Sequence, residues 1–344
     1  MSFSVGIVGL PNVGKSTLFK ALTKKTVDIA NYPFTTINPN IGVVAVPDLR
    51  LEKIAEIIKP ERVTPTIIEF FDIAGLVKGA HKGEGLGNQF LAQIRNCDMI
   101  LEIVRSFKSD KVEHVDKDIN PERDIETIRT ELLMKDLEAL EKLLSQLEKD
   151  TKGGDKKMIR KLELFGLIKE TVSKGNLISD IKLTDEDKVE LKEFQFLTEK
   201  PTVCVLNIDD HEDGEKKLPA IQINLKTEEE ISDLSDSEAK ELGLNSQLDQ
   251  IILSCYNILD LITFYTIKGG EETRAWTIKK GTQAPEAGNV VHSDFKEKFI
   301  RAEVVPWQKL AEAGSWSKAR ELGWLKTVGR EYVVQDGDVI EFKI

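Results

Sequence analysis

Residues 9–16 read Gly9-Leu10-Pro11-Asn12-Val13-Gly14-Lys15-Ser16. The stretch fits the pattern G-x-x-x-x-G-K-[ST]. It follows a strand-like run at 3–8 and precedes an apolar helix pattern carrying Leu18, Phe19 and Leu22. Strand, loop and helix in that order make a phosphate-binding loop. Glycines at 9 and 14 let the backbone turn its N–H groups toward a chain of phosphates, and a helix opening near Lys15 adds the positive end of its dipole. Lys15 is expected to reach the outer phosphates and act in catalysis, and the Ser16 hydroxyl to hold Mg²⁺. Asn12, Val13, Gly14, Lys15, Ser16 and Thr17 together form the expected nucleotide cradle. The alternative is a glycine turn that matches by coincidence, and the flanking strand and helix patterns weigh against it.

Outward from the loop, short apolar runs at 5–8, 42–46, 67–73 and 99–104 alternate with helical stretches up to about residue 120. That alternation predicts an open α/β sheet with the loop at a strand's carboxyl end. From Asp124 the character changes: Leu133, Leu137, Leu140, Leu144 and Leu147 recur at spacings of four and three, a heptad stripe. Gly153-Gly154 ends that helix, and 158–172 reads as a second amphipathic helix returning along the first. The stripe is read as the packing seam of this helical hairpin. Strand signals resume at 201–206 and, more weakly, at 220–225, with a helix at about 246–261, so the hairpin is an insertion. Beyond 262 the sequence reads as short strands and turns. It closes on 332–334 and 339–342 joined through Asp336-Gly337, a hairpin signal.

Composition narrows the class. At 344 residues the chain is long for one core, and two or three domains are expected. A formal net charge of -11 argues against wrapping nucleic acid over the whole surface, while leaving room for a basic face on one domain. No apolar run approaches the roughly 18 residues that span a bilayer, and the first strand begins without a signal-like segment, so a cytosolic protein without membrane contact is expected. Cys97, Cys204 and Cys255 include no C-x-x-C pair, which points to small buried residues and away from disulfides or zinc.

Two further stretches carry chemistry beside the loop. Asp72-Ile73-Ala74-Gly75 is a D-x-x-G at the end of an apolar strand, where Asp72 would hold Mg²⁺ through water and the Gly75 N–H would bond the γ-phosphate. Pro33-Phe34-Thr35-Thr36-Ile37 lies between the first helix and the next strand. A threonine there completes the Mg²⁺ shell, with Thr36 chosen over Thr35, and a solvent-exposed turn is the alternative.

These motifs carry a family resemblance. G-L-P-N-V-G-K-S at 9–16, N-Y-P-F-T-T-I-N-P-N-I-G-V-V at 31–44 and D-I-A-G-L-V-K-G-A-H-K-G-E-G-L-G-N-Q-F-L at 72–91 closely resemble the Obg-like ATPases of the YchF subfamily, within the translation-factor-related P-loop GTPases. R-A-W-T-I-K-K-G-T-Q-A-P at 274–285, the segment 290–304 and V-Q-D-G-D-V-I-E-F at 334–342 look like that family's C-terminal TGS domain. The resemblance runs over nearly the whole chain. It implies an α/β P-loop G domain in two parts, 1–123 and 200–261, interrupted by a coiled-coil hairpin at 124–199 and followed by a ubiquitin-like β-grasp TGS domain at 262–344.

Base selection departs from ordinary GTPases, whose N-K-x-D places a carboxylate on the two donors of the guanine edge. Adenine presents an acceptor at N1, which makes a carboxylate there unfavourable. Here the strand at 201–206 is followed by Asn207-Ile208-Asp209-Asp210. The resembled family typically has N-x-x-E and prefers ATP, and Asp210 departs from that Glu. ATP is the expected substrate with GTP weaker, and a GTP-preferring switch is the alternative. Asn207, Ile208 and Asp210 are the expected base contacts, with Asn224-Leu225-Lys226 in the place of the S-A-K-like cap. Leu76 stands where Ras-like enzymes carry a water-orienting Gln, so slow intrinsic hydrolysis is expected, or a nucleotide-binding scaffold with negligible turnover. His114, in a segment resembling the family's H-V element, is the chosen water-positioning residue over His81, against an ordinary structural histidine. Arg274, Trp276, Lys279, Lys280, Lys296, Lys298 and Arg301 interleave basic and aromatic groups, read either as a solvated sheet face or as an RNA-facing surface, and the resemblance favours RNA or the ribosome. The sum is a monomeric, cytoplasmic, Mg²⁺-dependent ATPase acting with the ribosome or its large subunit in translation-related regulation or stress response. A metabolic phosphotransferase would need an acceptor pocket and a base that the sequence does not show.

Overall fold

The computed structural model describes residues 3–24, 40–73, 86–108, 118–209 and 218–344. The first half runs β1 (Phe3–Val8), α1 (Lys15–Lys24), β2 (Ile41–Ala45), α2 (Leu49–Ile58), β3 (Arg62–Thr64), β4 (Ile67–Asp72), α3 (Leu86–Arg95) and β5 (Met99–Arg105). The hairpin region follows with α4 (Pro121–Asp150), α5 (Lys156–Ser173) and α6 (Asp185–Lys192). Next come β6 (Thr202–Asn207), β7 (Ile221–Ile223), α7 (Leu225–Ser232), α8 (Asp236–Glu241) and α9 (Leu248–Ile258). The chain ends in β8 (Leu261–Lys268), β9 (Glu272–Lys279), α10 (Ala284–Val291), α11 (Ser293–Glu297), β10 (Arg301–Pro306), α12 (Trp307–Ala313), α13 (Trp316–Glu321), β11 (Lys326–Val328) and β12 (Asp338–Lys343).

The first sheet has the order β2-β4-β1-β5-β6-β7 and is parallel except for β2, which runs antiparallel to β4. Every residue of β5 is buried, as expected of a parallel strand covered on both faces. Leu18 and Leu22 of α1, Leu91 and Ile94 of α3, and Ile251 and Ile252 of α9 complete the core. Because β1 lies between β4 and β5, the loop after it opens at the point where the strand order turns back, the usual ligand crevice of such sheets.

Asn120 starts α4 by accepting from the Arg123 N–H at 3.0 Å, a side-chain cap. Leu133, Leu140 and Leu147 are buried with Phe165, Ile168 and Val172 of α5, while Leu137 and Leu144 flank them half-buried. The leucine stripe is thus the seam between the two helices, and Gly154 turns the chain at φ +75°. Asp136, fully buried, fixes the returning segment by accepting from Leu197 N (2.9 Å), Thr198 N (2.7 Å) and Thr198 Oγ1 (2.7 Å).

The second sheet has the order β11-β10-β12-β8-β9-β3. It corrects one expectation. Residues 332–334 do not form a hairpin with 339–342: Val333 bridges Gln283 and Val334 N donates to Thr282 O, while β12 runs between β10 and β8. The Asp-Gly turn is held from outside, since Thr263 N donates to Asp336 Oδ1 at 2.9 Å and Gly337 N to Thr263 O at 2.8 Å. The region past 262 is mostly strands and turns as expected, and it also carries four helices, α10 to α13, that pack on the sheet. Finally, β3 leaves the first half of the chain to pair parallel with β9.

Candidate nucleotide site

The loop after β1 has the shape its sequence demands. A Cβ on Gly9 would lie 2.5 Å from Ile103 O, and one on Gly14, at φ +110°, would lie 2.5 Å from Asn207 Nδ2. Both positions therefore require glycine. Asn12 adopts φ +62°, a left-handed conformation that asparagine tolerates better than most residues. Val13 is buried, and Gly14 O accepts from Leu18 N at 3.0 Å to begin α1. Lys15 folds back over the loop, its Nζ donating to Gly9 O (3.0 Å) and Leu10 O (2.7 Å). Burial pushes its ammonium down to about 8, against the attraction of Asp72.

Ser16 and Asp72, expected as metal ligands from separate motifs, meet: Ser16 Oγ donates to Asp72 Oδ2 at 3.3 Å. Two hard oxygens beside a phosphate loop suit Mg²⁺, which keeps most of its shell for water and phosphate. Among the described residues no group of three or more His, Cys, Asp or Glu could hold a metal ion. Phe34, Thr35, Thr36, Gly75, Leu76, His81, His114 and Asp210 lie outside the described residues.

Asn207, expected at the base, also makes protein contacts. Its Nδ2 donates to Val13 O (3.0 Å) and its Oδ1 accepts from Leu225 N (3.1 Å). This buried amide ties the phosphate loop to the start of α7. Asn224 likewise caps α7, its Oδ1 accepting from Lys226 N (3.0 Å) and Thr227 N (3.2 Å). Ile208 N is held by Ile223 O at 3.0 Å, keeping the two segments together.

Sequence reasoning missed two charged residues in β5. Glu102 pairs in register with Val8, the residue before the loop, and is buried with Oε1 unpartnered. Burial pushes its carboxyl up to about 8. Arg105, buried opposite Asn207, stacks 4.3 Å above the Phe107 ring and donates through Nε to Phe107 O at 3.1 Å. The available signal was a charge inside and at the end of an otherwise apolar run. Cys97 and Cys255 are buried, Cys204 half-buried, and all three are free thiols. On β9, Arg274 lies 4.2 Å over the Trp276 ring, whereas Lys296 and Lys298 are paired with Glu286 and Asp294. That pairing leaves less free positive charge than the sequence count suggests.

A doubly wound parallel sheet with a glycine-bounded phosphate loop, a buried lysine and a juxtaposed Ser and Asp define a P-loop nucleotide-binding protein. A family model described as "50S ribosome-binding GTPase" matches residues 4–136, and the YchF GTPase C-terminal model, described as "Protein of unknown function (DUF933)", matches 261–344. The chain is 43% identical to the ribosome-binding ATPase YchF of Bacillus subtilis over 364 residues, covering 100% of this chain and 99% of the relative. It is 44% identical to that of Pasteurella multocida over 363 residues, with the same coverage. The YchF GTPase of Schizosaccharomyces pombe superposes with a TM-score of 0.88 at 35% identity, over 99% of this chain and 98% of that one. The chain belongs to the YchF family.

Proposed function

We propose that this protein is a Mg²⁺-dependent ATPase that works with the ribosome, its nucleotide state read out through the parts packed around the phosphate loop. The observation that carries the nucleotide reading is the meeting of Ser16 and Asp72 at 3.3 Å beside the Lys15-capped loop. With nucleotide bound, Lys15 would exchange the Gly9 and Leu10 carbonyls for phosphate oxygens, and Ser16 and Asp72 would hold Mg²⁺, whose chemistry there would be to neutralise charge on the phosphates. Asn207 keeps the loop in register with α7 while this happens. The curated relatives are named ribosome-binding ATPases, which supports ATP as substrate and the ribosome as partner. No helix among the described residues is long and apolar enough to cross a membrane, and a ribosome partner fits a cytoplasmic site of action. Thr36, Gly75 and His114 remain the proposed third metal ligand, γ-phosphate sensor and water-positioning group.

Calorimetric titration of non-hydrolysable ATP and GTP analogues with Mg²⁺ tests the reading. ATP should bind more tightly than GTP, and Lys15→Ala should remove binding of both. Tighter GTP binding would instead make the chain a GTPase, in line with the name of the S. pombe relative. Multiple-turnover hydrolysis with and without ribosomes should show a slow basal rate raised by ribosomes.

A further inference from the structure

Residues 46–66 connect β2 to β4, yet they pack on the other sheet. Leu51 and Ile54 of α2 are buried with Tyr265, Ala275, Val305, Leu310 and Val339. β3 extends the second sheet, with Arg62, Val63 and Thr64 in register with Glu272, Thr273 and Arg274. Glu61 N and Arg62 N donate to Gly270 O (2.8 Å) and Glu271 O (3.0 Å). A polar latch completes the junction. Arg50 donates to Asp48 through Nε (2.9 Å) and Nη2 (3.1 Å) and to Asp336 Oδ2 through Nη1 (2.6 Å). Tyr265 OH donates to Asp48 Oδ2 at 2.5 Å.

The other ends of the same two strands reach the nucleotide site. β2 and β4 pair from Ile41↔Phe71 to Ala45↔Ile67, and Val46 N donates to Thr66 O at 2.9 Å where they leave the sheet. At the opposite end Asp72 N donates to Asn40 O at 3.0 Å, and the Asp72 carboxylate meets Ser16. One ladder of about 17 Å therefore runs from the second sheet to the expected metal ligand. Packed strands move as units because close-packed interiors do not deform smoothly.

We propose that 46–66 is a tether through which the second sheet sets the position of Asp72, making Asp48, Arg50, Tyr265 and Asp336 positioning residues for the Mg²⁺–nucleotide site. The proposal rests on the nucleotide reading above. By linkage it is reciprocal: whatever shifts the second sheet changes nucleotide affinity, and nucleotide with Mg²⁺ biases the second sheet by the same factor. The phosphate loop itself is not on the tether, so the effect is confined to the metal-dependent part of binding.

The test titrates a non-hydrolysable ATP analogue into the full chain, with Mg²⁺ and with EDTA, for wild type, Arg50→Ala, Arg50→Lys and Tyr265→Phe. Arg50→Ala should lose at least about fivefold of the Mg²⁺-dependent gain in affinity, with binding in EDTA unchanged, and Arg50→Lys should recover part of it through Asp336. Amide exchange at Asp72 should quicken in parallel in the alanine variant. Should Arg50→Ala not fold, Tyr265→Phe, which deletes one hydroxyl bond, decides by the same readout. An unchanged Mg²⁺ gain in the folded variants overturns the tether. A wild type that binds no nucleotide overturns the underlying function instead.

Discussion

Lys15 is only 8% exposed, with its Nζ on two loop carbonyls and its proton affinity lowered by burial to about 8. Phosphates would hold it protonated well above that value. Below pH 8 the lysine is charged in both free and bound protein, and affinity should not depend on it. Above pH 8 the free protein loses the proton and binding must take it up again, so affinity should fall by up to about tenfold per pH unit. Titrations in buffers of different ionisation enthalpy would show the uptake directly. Glu102 gives the opposite kind of linkage. Its folded pKa of about 8 lies above the ordinary 4.5, so the native state keeps a proton that the unfolded chain releases. Its stabilising proton is fully present below about pH 4.5, and stability is lost as pH rises toward 8, by at most about 1.4 kcal/mol per unit. Glu102→Gln should therefore be more stable than wild type at pH 8, with the gap closing toward pH 5, measured by urea unfolding at each pH.

Elements show where the sequence was readable and where it was not. The phosphate loop was legible because its glycines answer local demands: a positive φ at 14 and a carbonyl 2.5 Å from a would-be Cβ at 9. The leucine stripe was legible because two helices joined by a short turn bury such a seam against each other. Asp136 was not, since an acid in the middle of α4 looks solvent-facing until Leu197 and Thr198 return to it from 61 and 62 residues away. Asp136→Ala leaves two backbone N–H groups without their acceptor and should cost about 3 kcal/mol or more in chemical unfolding, whereas Asp136→Asn, which keeps one acceptor oxygen, should cost less. The terminal hairpin was misread for a related reason. Asp336-Gly337 carries hairpin chemistry, but β8 holds that turn and β10 takes the partner strand. β3 gave no signal at all, being three residues with Arg62 and Val63 exposed. The motif made Asn207 legible as a residue but not its bonds to Val13 O and Leu225 N, because a motif names a residue and not the atoms its amide bonds.

At the scale of the whole molecule, the second sheet is not the property of the C-terminal residues alone. A fragment spanning 261–344 lacks β3 and α2, so the β9 edge and the apolar patch around Tyr265 would be uncovered. Unpaired edges template association. The fragment should melt at a lower temperature than the same fragment carrying 46–66 through a linker, and should self-associate in sedimentation unless that segment is restored. A further consequence concerns synthesis. Arg62 and its partner Glu272 lie 210 residues apart, so at about 5–20 residues per second the first strand waits roughly 10–40 s for the second to be made. During that interval Leu51 and Ile54 have no sheet to cover them. The protein thus emerges with an apolar segment near its N-terminus that only the last quarter of the chain can bury, and its yield in a cell should depend on how quickly translation reaches that quarter.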